Sequence, residues 1–373
     1  VLGRWRNWWR IRRGPVRAFQ YSVDSADATM VVMRRPRFGN GLVHVMAVTV
    51  ATGGCYEGLE PEDDDVAPRG DGVFVGYVHK GPFLVGATVD AYRVDGRGNA
   101  GDWISGAQTQ NDLGEYRLPH LPGGFTEIRA RGFYFNEITG ILSDSPIQLL
   151  AFAEGIGAER PANVNVLTHL AHGHIRAQLA EGVLFPLAIT SAEKHLVTAL
   201  DIGGPAFSPG VPALEMTLLG GDNDASAYLF AVSAVLVKAA ELRVGADGPV
   251  DATLTELLAE LAADLAPDGT FRATALAELR LAEAALDPDL VMAMLQDWLH
   301  TLGAEVDVPN LHRIIDSDVD GFANVDDNCP RDANSDQRDT EQDGIGDACD
   351  NCPVVNNPGQ EDADADGLGD ACE

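Results

Sequence analysis

Positive charge is scarce in this chain: 26 lysines and arginines face 57 aspartates and glutamates over 373 residues, a net charge of −31. Nucleic acid and anionic membrane surfaces are held through cationic footprints, so this surface suits neither. Catalytic signatures are missing as well. There is no Gly-x-Ser-x-Gly elbow for a nucleophilic serine, no glycine loop followed by lysine to cradle phosphate, and no His-Glu-x-x-His zinc motif. Cysteine is sparse, five in all, and four of the five fall after residue 328. The expectation is a protein that binds rather than an enzyme.

Much of the positive charge gathers at the start. Residues 1–55 hold nine arginines, two aspartates and three of the five tryptophans. From Met33, Met-Arg-Arg-Pro-Arg forms a basic region, residues 41–52 an apolar run broken by His44, and Thr52-Gly53-Gly54-Cys55 follows. This order resembles a bacterial lipoprotein signal over 33–55, which implies lipidation of Cys55 and a membrane anchor; the alternative is an ordinary cleaved secretory signal. The run is too short to span a bilayer as a helix. Residues 1–32, which open on Val1 and hold Met30 just ahead of Met33, read as an extension upstream of the true start. Residues 56–71, with Glu60-Pro61-Glu62-Asp63-Asp64-Asp65, read as an acidic tether.

From 72 to 152 short alternating runs are separated by turn residues, the pattern of antiparallel strands. Residues 73–78, 87–94, 116–118 and 127–130 are the expected strands, with turns at Asp95-Gly96, Gly101-Asp102, Asp112-Leu113-Gly114 and Gly123-Gly124. Gly86-Ala87-x-Val89, Thr109, Asp112-x-Gly114-x-Tyr116 and the Ile128 strand resemble the small regulatory β-sandwich of carboxypeptidases. That likeness implies a transthyretin-like sandwich that binds or supports.

Residues 162–303 switch to a helical period, enough for five or six helices. Thr190-x-x-Glu193 reads as a capping box, Asp224 precedes an apolar helix, Asp251 opens an amphipathic one, and two more follow over 273–286 and 290–302, divided at Asp287-Pro288. The sheet and helix segments also resemble uncharacterised secreted bacterial lipoproteins in Lys80-Gly81-Pro82-Phe83, Phe135-Asn136-Glu137-x-Thr139-Gly140 and Asn165-Val166-Leu167-Thr168-His169-Leu170. One enzymatic alternative is present: His169-x-x-His172-x-His174 puts His169 and His172 on one helical face, with His174 beside them, as candidate metal ligands. Phe133, Tyr134 and Phe135 are candidate sugar-stacking rings, and Asn136 and Glu137 candidate anchors of a ligand pocket.

The tail from Asp316 is the most regular part of the chain. It carries eighteen acids against two arginines, about half of the net charge. The unit Asp-x-(Asp/Glu)-x-Asp-Gly recurs at Asp316, Asp339 and Asp362, twenty-three residues apart. Side-chain oxygens fall at positions 1, 3, 5, 9 and 12 of each copy. The first supplies Asp316, Asp318, Asp320, Asn324 and Asp327; the second Asp339, Glu341, Asp343, Asp347 and Asp350; the third Asp362, Asp364, Asp366, Asp370 and Glu373. Glycine at position 6 allows the sharp turn a calcium loop needs, and position 7 offers a backbone carbonyl, here from Phe322, Ile345 and Leu368. The third loop, with no further copy after it, is the least supported.

The four late cysteines follow the same period. They allow three pairings; Cys329 with Cys349 and Cys352 with Cys372 gives two equivalent loops, each spanning one acidic segment. The rival reading makes Cys349-Asp-Asn-Cys352 a redox or zinc pair, but its thiols sit among carboxylates, whereas a reactive thiolate needs positive surroundings.

Asp327-Asn328-Cys329-Pro330, Asn334-x-x-Gln337 and Asp339-x-Glu341-x-Asp343-Gly344-x-Gly346-Asp347-x-Cys349-Asp350 resemble the thrombospondin type 3 repeat, and Asn351-Cys352-Pro353 through Cys372 resembles it again. The resemblance covers the last sixty residues or so and implies a calcium-wrapped, disulfide-stapled segment with little regular structure. The whole reads as multidomain: an antiparallel β-sandwich over 72–152, an α-helical domain over 162–303 and an irregular, calcium-bound, disulfide-linked tail over 316–373. The expected protein is secreted or anchored in a bacterial envelope, binds calcium, and serves a structural or adhesive role toward a protein or glycan surface. Ligand binding by the sandwich and a metal-dependent enzyme are the alternatives.

Overall fold

The computed structural model describes residues 19–23, 26–30, 72–155, 159–203, 207–245, 248–363 and 367–373. Cys55, the signal and tether segments of 33–71, and Asp364 and Asp366 of the third loop lie outside the described residues. Within residues 1–66, β1 (Phe19–Val23) and β2 (Ala26–Met30) form an antiparallel hairpin with Phe19 opposite Met30.

Residues 67–373 form a second unit. Its strands are β3 (Gly72–His79), β4 (Thr88–Val94), β5 (Ala100–Gln108), β6 (Glu115–Leu121), β7 (Gly124–Gly132), β8 (Phe135–Asn136), β9 (Ile141–Leu142), β10 (Ile147–Gly155), β11 (Glu159–Pro161) and β12 (Val164–Asn165). One antiparallel sheet runs β10-β7-β4-β5, and a second is built on β3, with β6 antiparallel on one side and β11 and β12 parallel on the other. Alternate residues of both sheets, among them Phe74, Val78, Tyr116, Leu118, Val89, Ala91, Ile128 and Leu149, are buried in a common core. Gly101-Asp102, expected as a turn, lies inside β5.

The second sheet closes only with residues 159–165, past the expected boundary at 152. β11 and β12 are separated by a break that would orphan a β3 amide. Asn163 repairs it: its side-chain oxygen accepts from the Tyr77 N–H at 2.9 Å. Gly76 permits this approach, since a Cβ there would stand 2.4 Å from the Ala162 carbonyl oxygen. The carboxypeptidase-like residues gather at one corner. Thr109 accepts from the Ala87 N–H at 2.9 Å and donates to the Leu84 carbonyl at 2.5 Å, while Asp112 accepts from the Val85 N–H at 2.8 Å. They pin the turn after β3 to the turn after β5.

Six helices follow: α1 (Val166–Ala180), α2 (Phe185–Leu200), α3 (Asp224–Val244), α4 (Val250–Leu265), α5 (Ala273–Ala284) and α6 (Pro288–Thr301). The capping box is not at Thr190, which lies within α2 and turns its hydroxyl back to the Pro186 carbonyl. It is at Asn165, whose side chain accepts from the Leu167 and Thr168 N–H groups while Thr168 returns the bond. Asn223 and Asp287 cap α3 and α6. α3 is apolar all round and is the one described helix long and apolar enough to cross a membrane; it is buried among the other elements as a core helix.

The composition leaves room for two cores, yet the described residues build one, continuous from sandwich to helices. Phe125 stacks on Phe185 of α2 at 3.7 Å, Phe135 on Trp298 of α6 at 4.7 Å, and Phe152 on His172 of α1 at 4.3 Å. Polar groups bind the joint as well. Lys80 and Glu137, both fully buried, pair at 2.8 Å, and Ser233 of α3 donates to Glu137 at 2.7 Å. Tyr134 donates to Asp251 of α4 at 2.5 Å. The lipoprotein-like segments around Lys80, Asn136 and Asn165 are thus the seam between sheets and helices. Gly81 is part of it, since a Cβ there would stand 1.9 Å from the Phe135 carbonyl oxygen.

Candidate metal centre

The tail is docked before it is coiled. Leu311, Ile314 and Ile315 are fully buried in the helical core. From there the chain turns back on itself, the Asn324 N–H donating to the Ile315 carbonyl and the Val325 N–H to the His312 carbonyl, both at 2.9 Å. His312 bridges Asp289 of α6 at 3.1 Å and the Asn324 side chain at 3.2 Å. Glu283 of α5 accepts from the Asp316 N–H at 3.4 Å. Burial first, then the nearby Asp316 and Asp201 charges, push the Glu283 carboxyl up to about 8. Nothing in the local pattern marks Glu283, which falls in an ordinary helical stripe.

Each acidic loop is wound by its own backbone amides. Position 1 accepts from the position-6 glycine: Gly321 donates to Asp316 at 2.8 Å, Gly344 to Asp339 at 3.0 Å and Gly367 to Asp362 at 2.9 Å. These glycines have φ of 106°, 95° and 94°, conformations that side chains resist. Position 5 accepts from position 7, Phe322 to Asp320 at 3.0 Å and Ile345 to Asp343 at 2.9 Å. Position 9 ties back to position 2, through Ser317 to Asn324, Thr340 to Asp347 and Ala363 to Asp370. Position 12 accepts at 2.8 Å from the cysteine two residues on, Cys329 to Asp327 and Cys352 to Asp350.

The two disulfides are Cys329–Cys349 and Cys352–Cys372, with Cα atoms 5.7 and 5.8 Å apart. The redox or zinc reading of Cys349 and Cys352 falls, because each is bonded to a different partner. Each bridge closes a loop worth about 3 kcal/mol in lost unfolded-state entropy.

With the frame satisfied, certain oxygens are left over. Both carboxylate oxygens of Asp318 and Glu341, at position 3, are buried and receive no donor, nor does the second oxygen of Asp327 and Asp350 at position 12, nor Oδ1 of Asp362. Ligand oxygens of Asp316, Asp318 and Asp320 lie within 4.8 Å of one another, and so do those of Asp339, Glu341 and Asp343. Burial, then the charges of Asp320, Asp327 and Asp316, push the Asp318 carboxyl up to about 6. Glu341 is pushed up to about 7, first by its approach to the Asp350 carboxylate and then by lost solvation. Buried anions without donors are costly unless a cation stands among them. Several hard oxygens from a single loop, with no imidazole or thiolate among them, fit calcium.

The histidines are not brought together in this way. His172 meets Glu127 at 2.9 Å; His174 lies between the Ala266 carbonyl and His195, at 3.0 and 2.9 Å. His169 is half-buried with a buried, unpartnered Nδ1, and lost solvation, then the His172 charge, hold it down at about 4. Tyr134 and Phe135 are core residues, Asn136 and Glu137 are buried at the seam, and of the three candidate stacking rings Phe133 alone is exposed.

Acidic loops of fixed period, with buried donorless oxygens in each and a disulfide spanning the second and the third, have the pattern of a metal-binding repeat. The family model of the thrombospondin type 3 repeat matches residues 315–337, and this C-terminal segment is a repeat of that calcium-binding, typically extracellular family. No curated protein and no solved structure matches the chain.

Proposed function

We propose that the tail binds calcium through the loop oxygens at positions 1, 3, 5, 7, 9 and 12 and that calcium orders it into a rigid, extracellular structural or adhesive element. The observation that carries this reading is the set of buried donorless oxygens at positions 3 and 12, repeated between the first two loops. Without a cation these acids repel one another; with it, binding and ordering are one event. In the third loop Asp362 and Asp370 hold the same backbone bonds as their counterparts, and Asp364, Asp366, Leu368 and Glu373 complete the proposed set. Extracellular calcium modules bind on the order of 10⁻⁴ to 10⁻³ M, so the loops fill outside a cell and stand empty inside one.

On this reading the chain is a binding and structural protein rather than an enzyme, exported by the signal at 33–55 and held at the envelope by lipid on Cys55. Mass spectrometry of the membrane fraction tests the anchor: an acylated Cys55 peptide supports it, and an unmodified secreted chain contradicts it. Surface attachment of the intact protein tests the adhesive role, with loss of attachment in chelator expected and chelator-insensitive attachment contradicting it.

A further inference from the structure

The outer face of the β10-β7-β4-β5 sheet carries residues that the calcium tail does not use. Thr88 stands opposite Arg131, Asp90 opposite Arg129 and Tyr92 opposite Glu127 on alternate positions of one face, with Trp103 of β5 beside Tyr92; Glu127 itself is buried against His172 of α1, so the open strip lies along Trp103, Arg129 and Arg131. Trp103 is 58 % exposed, yet it is held: its Nε1 donates to Asp90 at 3.0 Å. It lies against the bare backbone of Gly106, where a Cβ would stand 3.2 Å from the ring. A ring fixed at its N–H and laid on glycine keeps a flat apolar surface toward solvent.

At the other end of the same row is a cleft of about 320 Å³, lined by Val85, Thr88, Arg131, Phe133 and Pro146 among others. Phe133 is 45 % exposed there. Between the two rings stand Arg129, stacked on Tyr92 at 4.2 Å and paired with Glu127 at 2.6 Å, and Arg131, whose guanidinium has no acceptor among the described residues. From Glu127 to Phe133 is six residues, about 20 Å of extended chain.

We propose that this strip binds an acidic polysaccharide, its sugar rings packed on Trp103 and Phe133 and a uronate carboxylate paired with Arg131. Saccharide rings present flat C–H faces that suit exposed aromatic rings, and the planar guanidinium fork matches a carboxylate. A chain of net charge −31 repels polyanions almost everywhere. An unpartnered arginine between two exposed rings is a local exception, and charge complementarity selects the ligand. The site gives the adhesive role a partner but shares no residue with the calcium loops.

The test is affinity electrophoresis of the full-length oxidised protein through a gel containing polygalacturonate, run in chelator so that calcium cannot bridge tail and polymer. Retardation is expected, with no retardation by neutral dextran, and Trp103→Ala, Phe133→Ala and Arg131→Gln are each expected to weaken binding about tenfold. Three results would overturn the proposal: no retardation of the unaltered protein, retardation unchanged in Trp103→Ala and Arg131→Gln, or equal retardation by polyglutamate, which would assign the strip to acidic peptides. Because no calcium is present, failure here leaves the tail reading standing, and failure of calcium uptake leaves this one.

Discussion

The Gln337 side-chain amide donates to Oδ1 of Asp327 at 2.8 Å, and twenty-three residues further on Gln360 does the same for Asp350 at 2.7 Å. In each pair the other carboxylate oxygen is buried and receives no donor. The glutamine therefore aims the carboxylate, fixing one oxygen so that the second points where a cation would stand. Both glutamines take positive φ, 47° and 50°, and use their side-chain oxygens to hold the Asn328 and Asn351 N–H groups.

Gln337→Leu removes that aim while leaving every proposed ligand residue in place. A lost hydrogen bond to a charged group weakens calcium binding in the first loop by about tenfold. Calcium titration of the variant should show one weakened site and the others unchanged; a uniform loss across all sites would mean that the glutamine acts on folding instead.

Gly346 is required for space rather than for backbone angle. A Cβ there would stand 2.4 Å from Asn328 Oδ1 and 2.7 Å from Cys329 Sγ, and Gly369 repeats the crowding against Asn351 and Cys352. Gly346→Ala is predicted to destabilise the tail by about 1–3 kcal/mol and to make Cys329–Cys349 easier to reduce. Thiol trapping against reductant concentration measures this, with Cys352–Cys372 as the internal reference.

The repeat was legible because its chemistry is local: loop acids, glycines and cysteines sit at fixed spacing, and the Cys329–Cys349 and Cys352–Cys372 pairing followed the period. The strands at 73–78 and 87–94 and the helices that follow Asp224 and Asp251 are legible from alternation and helical period. What was not legible depends on distant contacts. Asn163 filling the break between β11 and β12, Lys80 meeting Glu137 and Ser233, and Glu283 receiving the Asp316 amide join residues 33 to 153 positions apart, and no spacing rule connects them. Thr190-x-x-Glu193 misled because a short motif cannot tell a helix start from a helix interior. Trp103 is not legible as a strand residue because Gly101-Asp102 reads as a turn, while β5 runs through it.

The buried Lys80–Glu137 pair should be asymmetric to mutation. Lys80→Met alone strands a carboxylate in the seam and is predicted to cost about 3–5 kcal/mol. Lys80→Met with Glu137→Leu should recover much of that loss. Urea unfolding of the two variants decides it, and equal destabilisation would contradict the account.

Glu193 gives a pH dependence of defined sign. Burial is the main cause that lifts its carboxyl from 4.5 to about 7, against the lowering effect of the Ala213 N–H that it accepts. The native state therefore binds more protons than the unfolded one between those values, and stability falls as pH rises through that window. Glu193→Gln keeps the acceptor and removes the titration, so it should add about 3 kcal/mol at pH 8 and nothing at pH 4. Unfolding midpoints at the two pH values measure the difference; equal shifts at both would contradict it.

The central claim is tested most directly by calorimetric titration of calcium into the metal-free, oxidised full chain, with circular dichroism recorded at each step. Saturable uptake of at least two ions per chain, at affinities on the order of 10⁻⁴ to 10⁻³ M and with a change in the backbone signal, is the predicted result. No saturable uptake at millimolar calcium would contradict it and leave the tail a solvated acidic segment.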